Sequence, residues 1–318
     1  MCKFCFWEEQ QTSKNYISEL FTTLSNMPVG CALSITGGEP TISKYIELIL
    51  QAIKFHKDKF EKVILTTNGT KLIECLDMMD GIVDHINISR HHYDSEIRKN
   101  IFGVDIISDS DLIHAIEICN QLGIDITFNA VLCDEIKTKN DIWSFIKYAK
   151  DMNASAITFR QDYNRNLGNS ESEIEQLFSE YKSIYSYDCP VCRTRSQIIN
   201  GMKVTWKSST FEPSNDLKDI YEFILQPNGK LTIDWAGESE ISLNKGEIIN
   251  LNKSAESLLE HIDYRTLFSS SNDNMKSSNL FNTSSYGGCG GVSRYSGCGG
   301  TSRYSGCGGT SRYSGCGG

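Results

Sequence analysis

Segments with strand and helix patterns alternate along the first ~165 residues of this 318-residue chain, and this alternation constrains the fold more than any other feature. A short apolar run, KVILTTNGT at 62–70, is typical of a buried strand, whereas SDLIHAIEICNQLG at 110–123 has helical periodicity. Strands that alternate with helices in this way are typical of βαβ units and a parallel sheet. We therefore predict an α/β core whose functional residues follow the carboxyl ends of its strands.

Glycine and asparagine mark the expected turns. Gly123 follows a helical pattern and predicts the end of that helix, because glycine readily adopts the left-handed backbone of a C-terminal cap. Asn68 in the sequence TTNG is expected to be a turn residue rather than a ligand. Asn228-Gly229 separates two strand-like runs and predicts a hairpin. The hairpin lies outside the alternating region, so we assign residues 1–165 to the core and residues 166–268 to a small appended α+β domain.

Charge is distributed unevenly along the chain. The formal net charge is -9, yet residues 286–318 contain three arginines and no acid, which leaves -12 on the remainder. An acidic body argues against nucleic acid or an anionic membrane as the main partner. No apolar run approaches the roughly 18 residues of a membrane span, and no secretory signal pattern is visible. We expect a cytoplasmic protein.

The C-terminal segment, residues 286–318, is a repeat with a period of nine residues. The sequence SRYSGCGG occurs three times, and four cysteines fall in phase, namely Cys289, Cys298, Cys307 and Cys316. A unit this rich in Gly and Ser cannot bury a core. We therefore expect a disordered tail, joined to the body by a polar linker at 269–285.

The other cysteines fall into two groups. Single cysteines within strand or helix patterns are expected to be small buried hydrophobic residues, and these are Cys31, Cys75, Cys119 and Cys133. Two pairs have the spacing CxxC, Cys2 with Cys5 and Cys189 with Cys192. In a reducing compartment such pairs indicate metal or redox chemistry rather than structural disulfides, and a zinc site is an open alternative.

Three short motifs follow in order: MCKFCFW at 1–7, TGGEP at 36–40 and NISRHH at 87–92. Together, in loops after successive predicted strands, they resemble the radical SAM superfamily over roughly residues 1–165. The resemblance implies a (β/α)6 barrel. Because the sequence begins at the motif that follows the first strand of that barrel, the implied fold is a partial barrel without its first strand.

The resemblance also implies a [4Fe-4S] cluster held by three cysteines spaced CxxxCxxC. Cys2 and Cys5 match the second and third of these cysteines, with Phe4 as the aromatic residue that often precedes the third. The first would fall before Met1, so we expect a chain that starts at an internal Met or is a fragment. A degenerate scaffold without a cluster, whose tail binds metal, is the alternative.

S-adenosylmethionine (SAM) is the second implied cofactor, and its reductive cleavage yields a 5′-deoxyadenosyl radical that abstracts hydrogen from substrate. By the same resemblance, Gly37-Gly38-Glu39-Pro40 is the loop that receives the methionyl amino group. The glycines allow close approach of the backbone, and Glu39 offers a carboxylate to the ammonium. Ser89 matches the position that contacts ribose. The implied electron donor is a partner such as flavodoxin or ferredoxin.

Further polar residues are expected at the same end of the barrel. Asn129 and Arg160 close the fifth and sixth strands of the implied barrel and are assigned to cofactor binding. Arg90, His91 and His92 follow Ser89, and we consider both a substrate-lining role and an ordinary solvated loop.

The sequence leads to a functional hypothesis with two alternatives. Cys189 and Cys192 lie where many peptide-modifying members carry an auxiliary Fe-S cluster, and the tail resembles the Cys- and Gly-rich peptides that such enzymes crosslink. The leading expectation is therefore a radical SAM peptide maturase that acts on its own tail or on a separate homologous peptide. A radical SAM enzyme acting on a small molecule, with an incidental tail, is one alternative, and the clusterless scaffold is the other.

Overall fold

A computed structural model describes most of the first 232 residues of the chain. The described parts are residue 5 and the ranges 12–27, 29–136, 138–161, 169–181, 183–189, 192–208 and 223–232, together with residues 237, 240, 305–306 and 314–315. Cys2, the linker at 269–285 and nearly all of the tail lie outside the described residues.

Helices and strands alternate through the core as the sequence predicts. The core elements are α1 (Tyr16–Asn26), β1 (Cys31–Ile35), α2 (Ile46–Phe55), β2 (Phe60–Thr67), α3 (Leu72–Met79), β3 (His85–Ser89), α4 (Ser95–Phe102), α5 (Asp109–Gln121), β4 (Asp125–Val131), α6 (Lys139–Asp151) and β5 (Ala156–Arg160), with 3₁₀ turns at Pro40–Ile42 and Lys57–Lys59. They are followed by α7 (Asn169–Ser179), β6 (Ser183–Cys189), β7 (Cys192–Ile199), β8 (Met202–Ser208), β9 (Ile224–Leu225), β10 (Leu231–Thr232), β11 (Ser305–Gly306) and β12 (Ser314–Gly315). No helix among the described residues is long and apolar enough to cross a bilayer.

One eight-stranded sheet runs through these elements in the order β1-β2-β3-β4-β5-β8-β7-β6. The first six strands in this order are parallel, and β7 is antiparallel to both of its neighbours. This mostly parallel α/β sheet confirms the predicted partial barrel. The sixth parallel strand, β8, comes from beyond residue 165, so the sheet continues across the boundary drawn from the sequence.

The two faces of the sheet differ in chemistry. Across the neighbouring strands β2, β3, β4, β5 and β8, one face of the sheet carries Leu65, Ile86, Phe128, Ile157 and Val204. These residues are buried in the same core as the apolar sides of the helices. Side chains alternate between faces along a strand, so the residues between these belong to the other face. The register aligns a polar row there: Thr66, Asn87, Thr127, Asn129, Thr158 and Thr205. We call this second surface the polar face.

Local signals in the sequence are confirmed at two turns. Gly123 has φ +72° and its N–H donates to the Asn120 carbonyl at 3.3 Å, at the end of α5. Gly229 has φ +86° and its N–H donates to the Gln226 carbonyl at 2.9 Å, between β9 and β10. Both positions require the left-handed backbone that glycine adopts without strain.

Three of the four single cysteines are buried as predicted. Cys75, Cys119 and Cys133 are at most 5% exposed, whereas Cys31 is partly buried and packs against the core. Burial raises the pKa of Cys119 to about 12 and contributes most to raising that of Cys133 to about 12. These thiols are therefore protonated at neutral pH and are poor metal ligands or nucleophiles.

Candidate active site at the carboxyl edge of the sheet

The loops after the parallel strands gather at one edge of the sheet. Residues 36–39 follow β1, Asn68 follows β2, residues 90–92 follow β3 and Arg160 ends β5. Because parallel strands end at the same edge, two of the three sequence motifs, TGGEP and NISRHH, converge there.

The glycine pair after β1 presents bare backbone to open space. Gly37 and Gly38 are exposed, and a Cβ placed on either would meet no atom within 4 Å. Gly37 has φ +131°, a conformation that other residues rarely adopt. This loop therefore lets a ligand approach the main chain closely, as the sequence predicts.

Glu39 holds the loop in place. Its Oε1 accepts hydrogen bonds from the Thr41 N–H at 3.0 Å, from the Thr41 hydroxyl at 2.7 Å and from the Thr67 hydroxyl. Its Oε2 accepts from the Asn68 N–H at 2.7 Å. The carboxylate thus ties the loop after β1 to the end of β2, a structural role that the motif alone did not indicate. Its predicted contact with a ligand ammonium stays a prediction, for which Oε2 retains a free acceptor position.

Asn68 is a turn residue, as expected. Its Oδ1 accepts from the Thr70 N–H at 2.9 Å and from the Thr70 hydroxyl. This local pattern satisfies the side chain within its own loop.

Ser89, Asn129 and Arg160 lie together at the carboxyl end of the polar face. Ser89 and Asn129 are register partners on β3 and β4, and Arg160 pairs with Val131, two residues beyond Asn129. Asn129 is 5% exposed and its Oδ1 has no hydrogen-bond partner among the described residues. The buried Nε of Arg160 likewise has none.

An unsatisfied buried polar atom costs about 1–3 kcal/mol. An unpaired acceptor and an unpaired donor on adjacent strands are therefore the groups that a bound polar molecule or ordered water would satisfy. The structure brings together the three residues that the sequence assigned to this end of the barrel.

Arg90 does not line the substrate side, and that expectation is wrong. The guanidinium is fully buried on the helix side of the sheet. It donates to the Tyr148 hydroxyl at 3.1 and 2.8 Å, to the Ile107 carbonyl at 3.0 Å and to Asp109 Oδ1. The residue after Ser89 points away from Ser89 because side chains alternate along the chain.

One carboxylate oxygen joins this network. Asp109 Oδ1 also accepts from Arg98 Nη2 at 2.6 Å and from the Tyr148 hydroxyl at 2.8 Å. The network fixes the chain after β3 to the start of α5 and to α6. Its hydrogen-bonded pairs are 11 to 58 residues apart in sequence, so no local sequence pattern could have indicated it.

His91 and His92 have structural contacts. His91 Nδ1 accepts from the Val131 N–H at 3.2 Å, and burial, with the charges of Arg160 and Arg90, lowers its pKa to about 3. His92 Nδ1 accepts from the Asp94 N–H at 2.9 Å, and burial lowers its pKa. Both rings are 6% exposed or less. A neutral His91 that accepts at Nδ1 carries its proton on Nε2 and is a poor general acid at neutral pH.

The structure describes only some of the cysteines in the two CxxC pairs. Cys5 is exposed, and Cys2 lies outside the described residues. Cys189 and Cys192 are register partners at the end of the β6–β7 hairpin, which brings their backbones side by side. Among the described residues, no three His, Cys, Asp or Glu side chains are close enough to hold a metal ion.

Comparison with known proteins identifies one domain of the chain. The model of the radical SAM superfamily matches residues 1–149. Residues 1–149 form a radical SAM domain. Membership implies a [4Fe-4S] cluster and SAM as cofactors, and the open Gly37-Gly38 backbone with the unpaired polar atoms of Asn129 and Arg160 fits a polar cofactor at this edge. Cys2 and Cys5 supply two of the three thiolates that the superfamily motif requires.

Curated proteins similar to this chain include archaeal proteins named "Probable GTP 3′,8-cyclase". That of Sulfolobus acidocaldarius is 26% identical over 202 residues, covering 62% of this chain and 63% of the relative. That of Pyrococcus abyssi is 31% identical over 140 residues, covering 44% of each. The chain thus spans less than two thirds of the length of either relative.

Solved structures with a similar fold are more distant. Streptococcus suis SuiB has a TM-score of 0.49 and 15% identity, covering 77% of this chain and 59% of its own. Coproporphyrinogen III oxidase (HemN) of Escherichia coli has a TM-score of 0.43 and 12% identity, covering 57% and 48%. At these TM-scores the likeness adds nothing to the family assignment.

Replacing Glu39 by Gln tests its role in holding the loop. The change keeps the shape of the side chain but replaces one carboxylate oxygen by an NH₂ group. That NH₂ group must then face one of the N–H or O–H groups that donate to Glu39. We expect Glu39→Gln to lower the free energy of unfolding of ligand-free protein by about 1–3 kcal/mol, measured by denaturant unfolding. The control is Glu74→Gln, which removes an exposed 3.6 Å salt bridge with Lys71 and should cost less than about 0.5 kcal/mol. Equal stability of Glu39→Gln and wild type would contradict the structural role.

The Asp109 network predicts a pH dependence. Burial alone would raise the pKa of Asp109, but hydrogen bonds from Tyr148 and Arg98 and the charges of both arginines hold it below its usual value. A lowered native pKa stabilises the fold fully above the unfolded pKa of about 3.9, and this contribution is lost as pH falls through the native pKa. We expect Asp109→Asn to cost about 2–4 kcal/mol at neutral pH.

The difference in unfolding free energy between wild type and Asp109→Asn should therefore shrink progressively as the pH falls below about 4. The matched control is Asp105→Asn, because Asp105 is 88% exposed in a 3.3 Å salt bridge with Lys99 and should contribute less than about 0.5 kcal/mol. A difference between wild type and Asp109→Asn that stays constant down to pH 3 would show that the carboxylate charge is not the stabilising feature.

Proposed function

We propose that this radical SAM protein reductively cleaves SAM and installs crosslinks in a Cys/Gly-rich peptide, such as its own tail or a separate homologous peptide. The observation that carries the proposal is the tail itself. Four cysteines in phase, each flanked by glycine, are joined to a chain that contains a radical SAM domain. A repeat gives one active site a series of equivalent targets.

The proposed cofactor contacts use the residues of the carboxyl edge. Cys2 and Cys5 would hold the cluster together with a third thiolate, and the Gly37-Gly38 backbone would receive the amino acid end of SAM. Ser89, Asn129 and Arg160 would bind the remaining polar groups, supported by the unpaired Oδ1 and Nε atoms. The bound cluster and SAM supply the 5′-deoxyadenosyl radical.

A tether to the same chain would favour the tail as substrate. If the 17 residues 269–285 behaved as a random coil, their end-to-end distance would be about 23 Å, and a tether of that length corresponds to a millimolar effective concentration. Within the tail, Ser305–Gly306 pair in parallel with Ser314–Gly315, nine residues further along the chain. The two described segments thus align equivalent positions of two repeats.

Thioether formation would replace a peptide C–H bond and a cysteine S–H bond by one C–S bond. The hydrogen atom of the C–H bond would be transferred to the 5′-deoxyadenosyl radical that the bound cofactors would supply, leaving a carbon radical. A cysteine thiol then loses its proton as the C–S bond forms, and one electron is released. That electron needs an acceptor, for which we propose an auxiliary Fe-S cluster at Cys189 and Cys192. Each link removes two hydrogens from the peptide.

A small-molecule substrate is the second candidate. The curated relatives are named for a reaction of GTP, and the polar face carries four basic residues, Lys62, Arg160, Lys203 and Lys207. The strand register also places the acidic residue Asp125 on that face. This charge suits an anionic substrate better than a tail of charge +3.

The cysteine roles predict distinct phenotypes. In a chain that carries a cysteine four residues before Cys2, purified without oxygen and reconstituted, we expect 5′-deoxyadenosine on reduction in the presence of SAM. Cys5→Ala should abolish it, because three thiolates hold the cluster. Cys189→Ala with Cys192→Ala should leave SAM cleavage intact and impair crosslinked product.

Cys119→Ala is the matched control, since that thiol is fully buried and should not affect SAM cleavage. Absence of 5′-deoxyadenosine from the reconstituted extended chain would refute the proposed activity. Normal product from the Cys189 and Cys192 double variant would refute the auxiliary cluster.

The tail prediction is a change in mass. A tail peptide incubated with active enzyme, SAM and reductant should lose two hydrogens per modified repeat, measured by mass spectrometry. If the link is a thioether, the modified thiols should also stop reacting with iodoacetamide. A peptide in which Cys307 is replaced by Ser should lose one such modification.

Three other outcomes are informative. A mass loss with all thiols still alkylatable would indicate a carbon-centred link, such as one between Arg303 and Tyr304. An unchanged peptide mass while 5′-deoxyadenosine accumulates would mean that the tail is not the substrate. If the enzyme instead converts GTP while the peptide stays unchanged, the small-molecule substrate is favoured.

A further inference from the structure

His91, two residues after β3, has an unusual backbone for a buried residue with a side chain. Its φ is +48°, in the left-handed region that residues other than glycine seldom adopt. The His92 N–H donates to the Arg90 carbonyl at 2.5 Å, which closes a tight turn around His91. Such strain persists only where surrounding contacts hold it, and it is concentrated at functional sites.

The ring of His91 replaces a hydrogen bond of the sheet. The Arg90 N–H donates to the Asn129 carbonyl at 3.0 Å, so in a continuing parallel ladder the Val131 N–H would donate to the Arg90 carbonyl. That carbonyl instead accepts from His92, and the Val131 N–H donates to His91 Nδ1 at 3.2 Å. The imidazole therefore joins the end of β4 to the chain that leaves β3.

These contacts place His91 among the three proposed cofactor contacts. Ser89 precedes it by two residues, and the Asn129 carbonyl accepts from the His91 N–H at 3.4 Å. Val131, which donates to the ring, is the register partner of Arg160 on β5. A change in the ring of His91 would therefore alter how the carboxyl ends of these strands lie beside one another.

We propose that His91 is a positioning residue for SAM, whose ring fixes the ends of β3 and β4 so that Ser89 and Asn129 face the cofactor beside Arg160. The inference rests on the proposed function, because it takes these three residues as SAM contacts. It goes further by assigning their arrangement to a fourth residue. The ring is 6% exposed and packs on Phe102 with 5.0 Å between ring centroids, which fixes its orientation.

The test measures SAM binding to the extended, reconstituted chain by titration calorimetry without oxygen. His91→Phe keeps an aromatic ring but removes the acceptor, and should raise the Kd for SAM about tenfold. His91→Gly adopts the left-handed backbone without strain but also lacks the acceptor, so its Kd should rise to a similar extent. His91→Asn places Oδ1 where Nδ1 was and tolerates this backbone, so its Kd should stay within about threefold of wild type.

His56→Phe is the matched control. The His56 ring is 4% exposed, packs edge-on against Phe55 and has its Nε2 3.4 Å from Ser25 Oγ. It lies between α2 and β2, at the opposite edge of the sheet. His56→Phe should therefore lower the Tm, as His91→Phe does, but leave the Kd for SAM unchanged.

Hydrogen exchange of the ligand-free chain gives a second readout, because the Val131 amide should exchange faster in His91→Phe than in wild type or His91→Asn. The inference is overturned if His91→Gly or His91→Phe binds SAM as tightly as the control, or if His91→Asn binds as weakly as they do. Wild type that binds SAM without forming 5′-deoxyadenosine would contradict the proposed function and leave this comparison valid. Wild type that does not bind SAM would overturn both.

Discussion

Neighbouring residues of a β-strand point to opposite faces of the sheet, and each central strand of this chain uses that alternation in the same way. On β5, Phe159 is buried against the helices, while Thr158 and Arg160 belong to the polar face. Burial of the apolar face supplies the main stabilisation of the fold. The polar face is thereby left to carry groups that would be unfavourable in a packed core, and three of the proposed cofactor contacts, Ser89, Asn129 and Arg160, are on it.

The site loops are held by carboxylates that already have their hydrogen bonds. Glu39 joins the loop after β1 to β2, and Asp109 joins two arginines and a tyrosine behind the chain that follows Ser89. Such networks fix backbone positions before a ligand binds, which reduces the entropy lost on binding. The exposed Gly37-Gly38 backbone can therefore be open without being loosely attached.

The sequence predicted the features that local patterns determine. Periodicity gave the alternating elements, and the left-handed turns at Gly123 and Gly229 follow from residue type. Arg90 was misjudged because its position after Ser89 suggested a shared direction, whereas its partners Asp109 and Tyr148 are distant in sequence. The place of Lys203 in the parallel sheet was not predictable either, since it depends on the strand order β5-β8, which joins a strand from beyond residue 165 to the core.

The charges of the polar face and of the tail constrain how the tail could be a substrate. Arg303 precedes Cys307 by four residues, about 13 Å in an extended chain. At that distance, which exceeds the Debye length of about 8 Å at physiological salt, the arginine of a repeat would be largely screened from the Arg160 guanidinium when the cysteine of that repeat is at the carboxyl edge. A cationic repeat could thus present Cys and Gly at this edge with little repulsion from Arg160.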